Sequence, residues 1–225
     1  MTTNRDIVNL FKVQIKEING DWYASDRAIL AELLSVRNLL IKREIDKRKL
    51  KDVDSLYTTI PCLEMIEVPL AECCSYRAPC NIRRSKYPLP KVGESIWGYI
   101  IEGIWSIDGK VTFDKGTAQK YATLLDLLDK NPNIYWIQNN YLYISDPDIE
   151  TVKARLFLED LEMDLKLFSC SEEFEKMLCM NPLDDKFRCP GYLIQNIMEI
   201  SVKKYLSFTR AIPNDQTDND TQIPN

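Results

Sequence analysis

One long amphipathic helix constrains the fold of this chain more than any other feature of its sequence. Ser25 is a favourable N-cap residue, and the pattern after it predicts a helix from Asp26 to about Lys51. Two adjacent apolar stripes define its buried face, one formed by Ile29, Leu33, Val36 and Leu40 and the other by Leu30, Leu34, Ile41 and Ile45. A helix of this length spans roughly 39 Å, long enough to project from a small domain.

A second, shorter helix precedes it. Residues 5–18 place four apolar side chains on one helical face, those of Ile7, Leu10, Phe11 and Ile18. The pair Asn19-Gly20 that follows is a typical helix stop. The sequence therefore predicts an N-terminal helical hairpin or bundle within residues 1–55.

The middle of the chain, residues 56–160, has the composition of β-structure. Tyr57–Val68 is rich in β-branched and large apolar residues, and Pro61 within it argues for an edge strand or a strand start. Strands are expected across Ile96–Phe113, with Asp108-Gly109 as the hairpin turn. One short helix is expected at Thr117–Lys130, because Tyr121, Leu124, Leu125 and Leu128 share a face and Pro132 follows.

Two further strands, Ile134–Gln138 and Tyr141–Ile144, flank the tight-turn pair Asn139-Asn140. The segment Thr151–Glu159 alternates apolar and polar residues, which favours a strand, although Asp146-Pro147 would also be a sound start for a helix. Together these signals predict a central antiparallel β region.

The last part of the chain divides into residues 161–210 and 211–225. Helices are predicted at Ser171–Cys179 and Tyr192–Phe208. After Pro213 the sequence is almost entirely polar, which predicts an extended tail that does not fold alone. The expected fold class is α+β, with N-terminal helices, a β core, a C-terminal helix and this tail.

The composition excludes several kinds of active site. The 225 residues contain no histidine, so the Ser-His-Asp and Cys-His pairs and histidine metal sites are excluded. Carboxylate or lysine chemistry stays open, but no nucleotide-binding or nucleophile-elbow motif is present. With no apolar leader and no run of about 20 apolar residues, we expect the protein to fold in a cytoplasm without a membrane partner.

Two clusters are candidate sites. Cys62, Cys73, Cys74 and Cys80 could hold zinc, but their spacing lacks the usual C-x-x-C, and reduced, buried cysteines are the expectation for all seven. The segment 73–90 reads as a long, irregular basic loop. It could be a solvated surface, a contact for an acidic protein partner, or a phosphate-backbone contact, although a net charge of −5 gives no reason to expect nucleic acid as the main partner.

Several stretches of the sequence resemble one protein family. They are the end of the long helix from Val36 to Arg43, the strand Tyr57–Val68, the run Arg83–Pro90, the segment Val152–Asp160 and the tail from Ile212. In this order they resemble the head-to-tail connector proteins, also called adaptor or ring proteins, of short-tailed, crAss-like bacteriophages. The segment Leu161–Asp185 is more acidic than the resemblance leads us to expect.

The resemblance implies a non-enzymatic virion protein, assembled in the host cytoplasm, that needs no cofactor. It implies a ring of twelve copies between the portal and other ring or tail proteins, through which DNA passes without specific binding. The expected interface residues come from the basic segment and the tail, namely Arg77, Arg83, Arg84, Lys86, Tyr87, Ile212, Pro213 and Asp215. The alternatives are a small intracellular protein-binding module and, third, a magnesium-dependent carboxylate nuclease.

Overall fold

The long helix begins at the predicted residue. In the computed structural model, which describes residues 2–18, 24–47, 54–69, 81–127, 132–159 and 181–210, helix α1 spans Asn4–Ile18 and α2 spans Asp26–Asp46. The Ser25 side chain accepts a hydrogen bond from the backbone N–H of Ala28 at 3.3 Å, as an N-cap does. Helix α2 ends at Asp46 with Lys47 as its C-cap, so it is shorter than predicted. Its 21 residues span roughly 31 Å.

A third helix packs with the first two. The last helix, α4, spans Gly191–Arg210 and shares one apolar core with α1 and α2. The aromatic rings of Phe11 and Tyr205 meet edge to face, with centroids 6.3 Å apart. Two further contacts tie α1 to the chain just before α4: the Asn4 side chain donates to the Pro182 carbonyl, and Arg5 pairs with Asp184. The predicted N-terminal hairpin is therefore part of a three-helix bundle.

The β region closes into a seven-stranded barrel. Its strands are β1 (Thr58–Pro69), β2 (Asn81–Ser85), β5 (Ile101–Ser106), β6 (Thr112–Lys115), β7 (Ile134–Gln138), β8 (Tyr141–Ile144) and β9 (Thr151–Leu156). A small hairpin of two-residue strands, β3 (Glu94–Ser95) and β4 (Gly98–Tyr99), lies outside the barrel. The order around the barrel is β1-β2-β8-β7-β6-β5-β9. The mixed α+β class is thus confirmed.

One strand pair departs from the predicted antiparallel arrangement. Strands β6 and β7 are parallel, with Asp114 opposite Ile134. Helix α3 (Ala118–Leu127) lies between them in sequence, and a parallel connection needs such a crossover. Tyr121 of α3 packs on the stacked rings of Trp136 and Tyr143, which cover one outer side of the barrel.

Strand β1 closes the barrel because it pairs with two neighbours in succession. Its first half pairs with β9, from Thr58 to Glu64, and its second half with β2, from Met65 to Pro69. The β1–β9 register shifts between Ile60 and Leu63, so Pro61 lies at an irregularity in the half of β1 that pairs with β9 alone, which agrees with the expected edge position. Bulges are one of the few places where a sheet accepts proline.

The predicted turns are confirmed. Asn139 and Asn140 both have positive φ, 51° and 64°, as a two-residue hairpin turn requires. Gly109 has φ 73° in the turn between β5 and β6. Residues Thr151–Leu156 form a strand, the favoured of the two readings of that segment. The predicted helix Ser171–Cys179 and the tail 211–225 lie outside the described residues.

The interior of the barrel is filled by side chains. Apolar residues from all sides of the barrel form one cluster, and Ile60, Leu63, Ile104, Leu142 and Val152 are fully buried in it. A barrel of seven or eight strands is just wide enough to be filled in this way. In the part of the chain that the structure describes, the barrel therefore holds a packed core and encloses no channel.

The bundle and the barrel meet around a buried arginine. Arg37 of α2 has no exposed surface, and its guanidinium donates to the Leu158 carbonyl oxygen at 2.9 Å and to Asn38 Oδ1 at 2.8 Å. It also lies over the Phe157 ring, 5.4 Å from the centroid. Asn38 in turn donates to the Glu159 carbonyl oxygen. These contacts fix α2 to the chain leaving β9.

The cysteines are not all reduced. Cys62 on β1 is disulfide-bonded, which corrects the expectation for this residue. Cys189 is free and buried, and burial raises the pKa of its thiol to about 12, so it is not a reactive thiolate.

Candidate protein interface

Part of the predicted basic loop is a barrel strand. Residues Asn81–Ser85 form β2, which pairs with β1 and β8. The strand depends on these partners elsewhere in the chain, so the composition of residues 73–90 does not indicate it. Arg83 turns inward: its Nε donates to the Pro147 carbonyl oxygen at 2.7 Å and its side chain is 15% exposed. The Arg84 guanidinium lies over the Tyr141 ring at 4.5 Å. Both arginines thus serve the barrel itself.

Lys86 and Tyr87 lie just after this strand. Lys86 pairs with Glu64 at 2.6 Å, and this carboxylate raises the pKa of the ammonium. The Lys86 ammonium also lies over the Tyr87 ring at 5.4 Å. About half of the Lys86 side chain stays exposed, so this corner can still meet a partner. The other predicted interface residues, Arg77, Ile212, Pro213 and Asp215, lie outside the described residues.

One open surface is a groove between α2 and the barrel, which we call the α2 groove. Its volume is about 670 Å³. It is lined by Arg27, Leu30, Ala31, Leu34, Ser35, Asn38, Leu39, Lys42, Lys91 and Glu159. Leu39 is 62% exposed, which is unusual for a leucine in a helix that packs against both α1 and α4. A groove with an apolar wall and an exposed anchor is typical of a protein-binding surface.

Three cations and a single carboxylate line the α2 groove. Glu159 accepts from Lys42 and, at 3.0 Å, from Lys91, while Arg27 lies at the other end of the groove. Burial alone would raise the pKa of Glu159, but the hydrogen bonds from both lysines outweigh it, so the pKa lies below its ordinary value of 4.5. The groove thus carries an excess of positive charge.

This pKa predicts how stability responds to acid. Because the pKa of Glu159 is depressed in the folded state, its stabilisation is present above pH 4.5 and is lost as the pH falls through the folded value. Glu159→Gln should therefore be less stable than wild type near neutral pH, and this difference should shrink below pH 4.5. Urea unfolding at a series of pH values measures it, and a difference independent of pH would contradict the assignment.

A second open surface lies between α1 and α4. This hollow has a volume of about 580 Å³ and is lined by Leu10, Gln14, Gly191, Ile194, Gln195, Met198 and Glu199. Leu10 is 45% exposed, although the sequence placed it on the buried face, and Val13 and Tyr192 are also exposed on the same two helices. The bundle therefore has open apolar surface in two separate places.

A third exposed apolar feature is the hairpin between β3 and β4. Ile96 and Trp97 form its tip and are 74% and 55% exposed. Asp46 at the end of α2 accepts from the Ile96 backbone N–H at 3.1 Å, and Lys115 donates to the Trp97 carbonyl oxygen at 3.1 Å. The tip is held in place by these bonds while its two large side chains face solvent.

Sequence reasoning did not identify the α2 groove as a site. One signal was available: Leu39 lies outside both apolar stripes of the helix, so a leucine there cannot be explained by the bundle core. The pairing of Lys42 with Glu159 joins residues 117 positions apart and has no local signature.

The described ranges contain no cluster of three or more cysteine or acidic residues placed to bind a metal ion. In the same part of the chain, no helix has the length and apolarity needed to cross a membrane.

Comparison with known proteins gives the family. No curated protein matches the chain. A family model, CrAss_Ring_2, described as phage tail ring protein 2, matches residues 6–223, nearly the whole sequence. The resemblance to ring proteins of crAss-like phages drawn from the sequence is thereby confirmed. The chain belongs to the phage tail ring protein 2 family, a family of bacteriophage structural proteins.

Proposed function

We propose that this protein is a non-enzymatic connector that forms a ring of twelve copies between the portal and the tail and extends the DNA conduit. It belongs in the neck of the virion and is assembled in the host cytoplasm. Its family membership supports a ring-forming structural role. The net charge of −5 is compatible with DNA passing without a firm grip, since like charge weakens contact with phosphate.

The observation that carries the proposal is the α2 groove with its exposed Leu39. A ring built from identical copies uses heterologous contacts, in which one patch on each copy meets a different patch on the next. The α2 groove and the hollow between α1 and α4 are two such different patches on one bundle. In this proposal, the α2 groove receives a neighbouring copy, and the other surface is free for a second contact.

The predicted interface residues are assigned accordingly. Lys86 and Tyr87, together with Arg77, would contact the portal or another ring component, because this corner remains partly exposed. Arg83 and Arg84 would support that corner through their contacts with Pro147 and Tyr141. Ile212, Pro213 and Asp215 would belong to a docking tail that reaches an adjacent component.

Mass photometry of the full chain, alone and with the portal protein of the same phage, tests the proposal. A discrete species near twelve times the 26.2 kDa chain mass, or stoichiometric binding to the portal, is the expected result. A monomer at every concentration with no affinity for the portal would overturn it and favour the small binding module. Magnesium-dependent cleavage of DNA would instead favour the nuclease.

The variant Leu39→Asp should abolish assembly without unfolding the chain. Burying a leucine side chain contributes about 1.5–3 kcal/mol, whereas a carboxylate at the same place must be desolvated. Ile107→Asp is the matched control, because Ile107 is also exposed, at 53%, but lies in the β5–β6 turn away from the α2 groove. Equal loss of assembly in both variants, or in neither, would contradict the role of the α2 groove.

A further inference from the structure

The α2 groove needs a particular kind of occupant. Its wall is apolar, with Leu34 and Leu39, and its charged residues are three cations against one carboxylate. Glu159 is already engaged by Lys42 and Lys91, which leaves Arg27 and the exposed face of Lys91 to meet an incoming anion. Lys91 is 71% exposed despite its pairing. A complementary ligand would therefore be an extended segment with both acidic and aliphatic side chains.

Two stretches beyond the described residues combine several acidic with aliphatic side chains, 160–180 and 211–225, and the first also carries Lys166 and Lys176. Residues 211–225 carry Asp215, Asp218 and Asp220 and include neither lysine nor arginine. Ile212 and Ile223 flank the three acids. The segment thus has the charge and the aliphatic side chains that the α2 groove would accept.

The length of this segment is sufficient. From Arg27 to Lys42 the α2 groove follows 15 helical rises, roughly 22 Å. Fifteen residues in extended form reach roughly 50 Å. The segment can therefore leave its own subunit, cross a gap and still run along the whole groove.

The position of α4 favours another copy as the source of the segment. Helix α4, which precedes it, contacts a different side of α2: Lys204 pairs with Glu32 at 2.7 Å, and Tyr205 lies beside Ala28 and Ile29. The α2 groove opens on the side formed by Ala31, Leu34, Ser35 and Asn38. The donor helix and the receiving groove thus lie on different sides of α2, which is the arrangement that a head-to-tail contact between copies requires.

We propose that residues 211–225 of one copy bind in the α2 groove of the next copy in the ring. This inference rests on the proposed function, since it names the segment that fills the receiving surface. The acidic side chains pair with Arg27 and Lys91, and the isoleucines pack on the leucine wall. The contact weakens with added salt, because part of it is charge pairing at an exposed rim.

A labelled peptide tests the binding. Fluorescein-labelled residues 211–225 are titrated with the full-length chain, kept below the concentration at which it assembles, and followed by fluorescence anisotropy. The double variant Arg27→Glu, Lys91→Glu should weaken binding by about tenfold or more, because charge-assisted contacts become repulsive. The control variant Lys120→Glu, Lys153→Glu makes the same change in net charge on exposed residues outside the groove and should bind like wild type.

A tail variant separates the neighbour's segment from the chain's own. In Asp215→Lys, Asp218→Lys, Asp220→Lys, the intrinsic tail no longer competes for the groove. Equal peptide binding by this variant and by dilute wild type is expected if the groove is empty in a single copy. Much tighter binding by the variant would show that each chain fills its own groove and would overturn the exchange between copies.

Mixing the charge-reversed chains completes the test. Neither the tail variant nor the groove variant should assemble alone, but their equimolar mixture should, since each pair of opposite charges is restored between copies. A ring that persists in the groove variant overturns this inference while leaving the proposed ring function intact. Peptide binding to the groove without any ring or portal complex would instead count against the proposed function.

Discussion

Replacing Arg37 with alanine is expected to lower the free energy of unfolding by about 3 kcal/mol. The guanidinium is fully buried, donates to the Leu158 carbonyl oxygen and covers the Phe157 ring. Alanine leaves a cavity at this place and a buried carbonyl oxygen without its donor. For a chain of 225 residues the midpoint of thermal unfolding should fall by roughly 6–12 °C. Calorimetry and urea unfolding measure both quantities.

Two companion variants separate the causes of this loss. Arg37→Met keeps most of the volume but removes the hydrogen bonds, so it should cost less than Arg37→Ala. Arg27→Ala removes an exposed arginine from the same helix and should change stability by about 0.5 kcal/mol at most. If Arg37→Ala were as stable as Arg27→Ala, the buried arginine would have no part in joining the bundle to the barrel.

Gly93→Ala should destabilise the same junction by about 1–3 kcal/mol. A Cβ atom on Gly93 would lie 2.2 Å from Cδ1 and 2.6 Å from Cε1 of the Phe157 ring, far inside contact distance. The ring is buried under Arg37 and cannot move freely. Gly93 is also held by backbone bonds, since its N–H donates to the Phe157 carbonyl oxygen at 2.8 Å. Urea unfolding of the variant checks the expected loss.

A second substitution shows whether the clash is the cause. Phe157→Leu removes the ring atoms that the new methyl group would meet, at its own cost in packing. In the double variant Gly93→Ala, Phe157→Leu, the loss of stability should be smaller than the sum of the two single losses. Strict additivity would mean that Gly93 matters for its backbone alone.

Helix starts and turns could be predicted from the sequence where a few neighbouring residues determine them. The start of α2 followed from Ser25 and the spacing of the leucines, and the Asn139-Asn140 turn followed from residues that tolerate positive φ. Strand β2 was missed, because proline, cysteine and arginine around Asn81–Ser85 resemble a loop and the strand depends on partners far along the chain. Barrel closure and the parallel β6–β7 pair are equally non-local.

The α2 groove was harder to predict than the fold. Its walls come from α2, the segment before β3 and Glu159, three residues after β9, so no single stretch of sequence contains it. In the sequence, Lys42 and Lys91 have the pattern of ordinary surface lysines, whereas in the structure both pair with Glu159. The arginines of the basic segment suggested an exposed interface, yet Arg83 bonds to the Pro147 carbonyl oxygen and Arg84 packs on Tyr141 on the outer side of the barrel. A cluster of arginines in the sequence does not show whether their side chains face solvent or pack against the protein.

The joint at Arg37 has a consequence for geometry on a larger scale. If copies join through their helices, the angle between neighbours depends on how firmly each bundle is held to its own barrel. An angular error at that joint is repeated at every copy and adds up around a closed ring, so even a few degrees of play would leave a gap or turn the ring into an open spiral. A buried, multiply bonded arginine at this place keeps such accumulated error small.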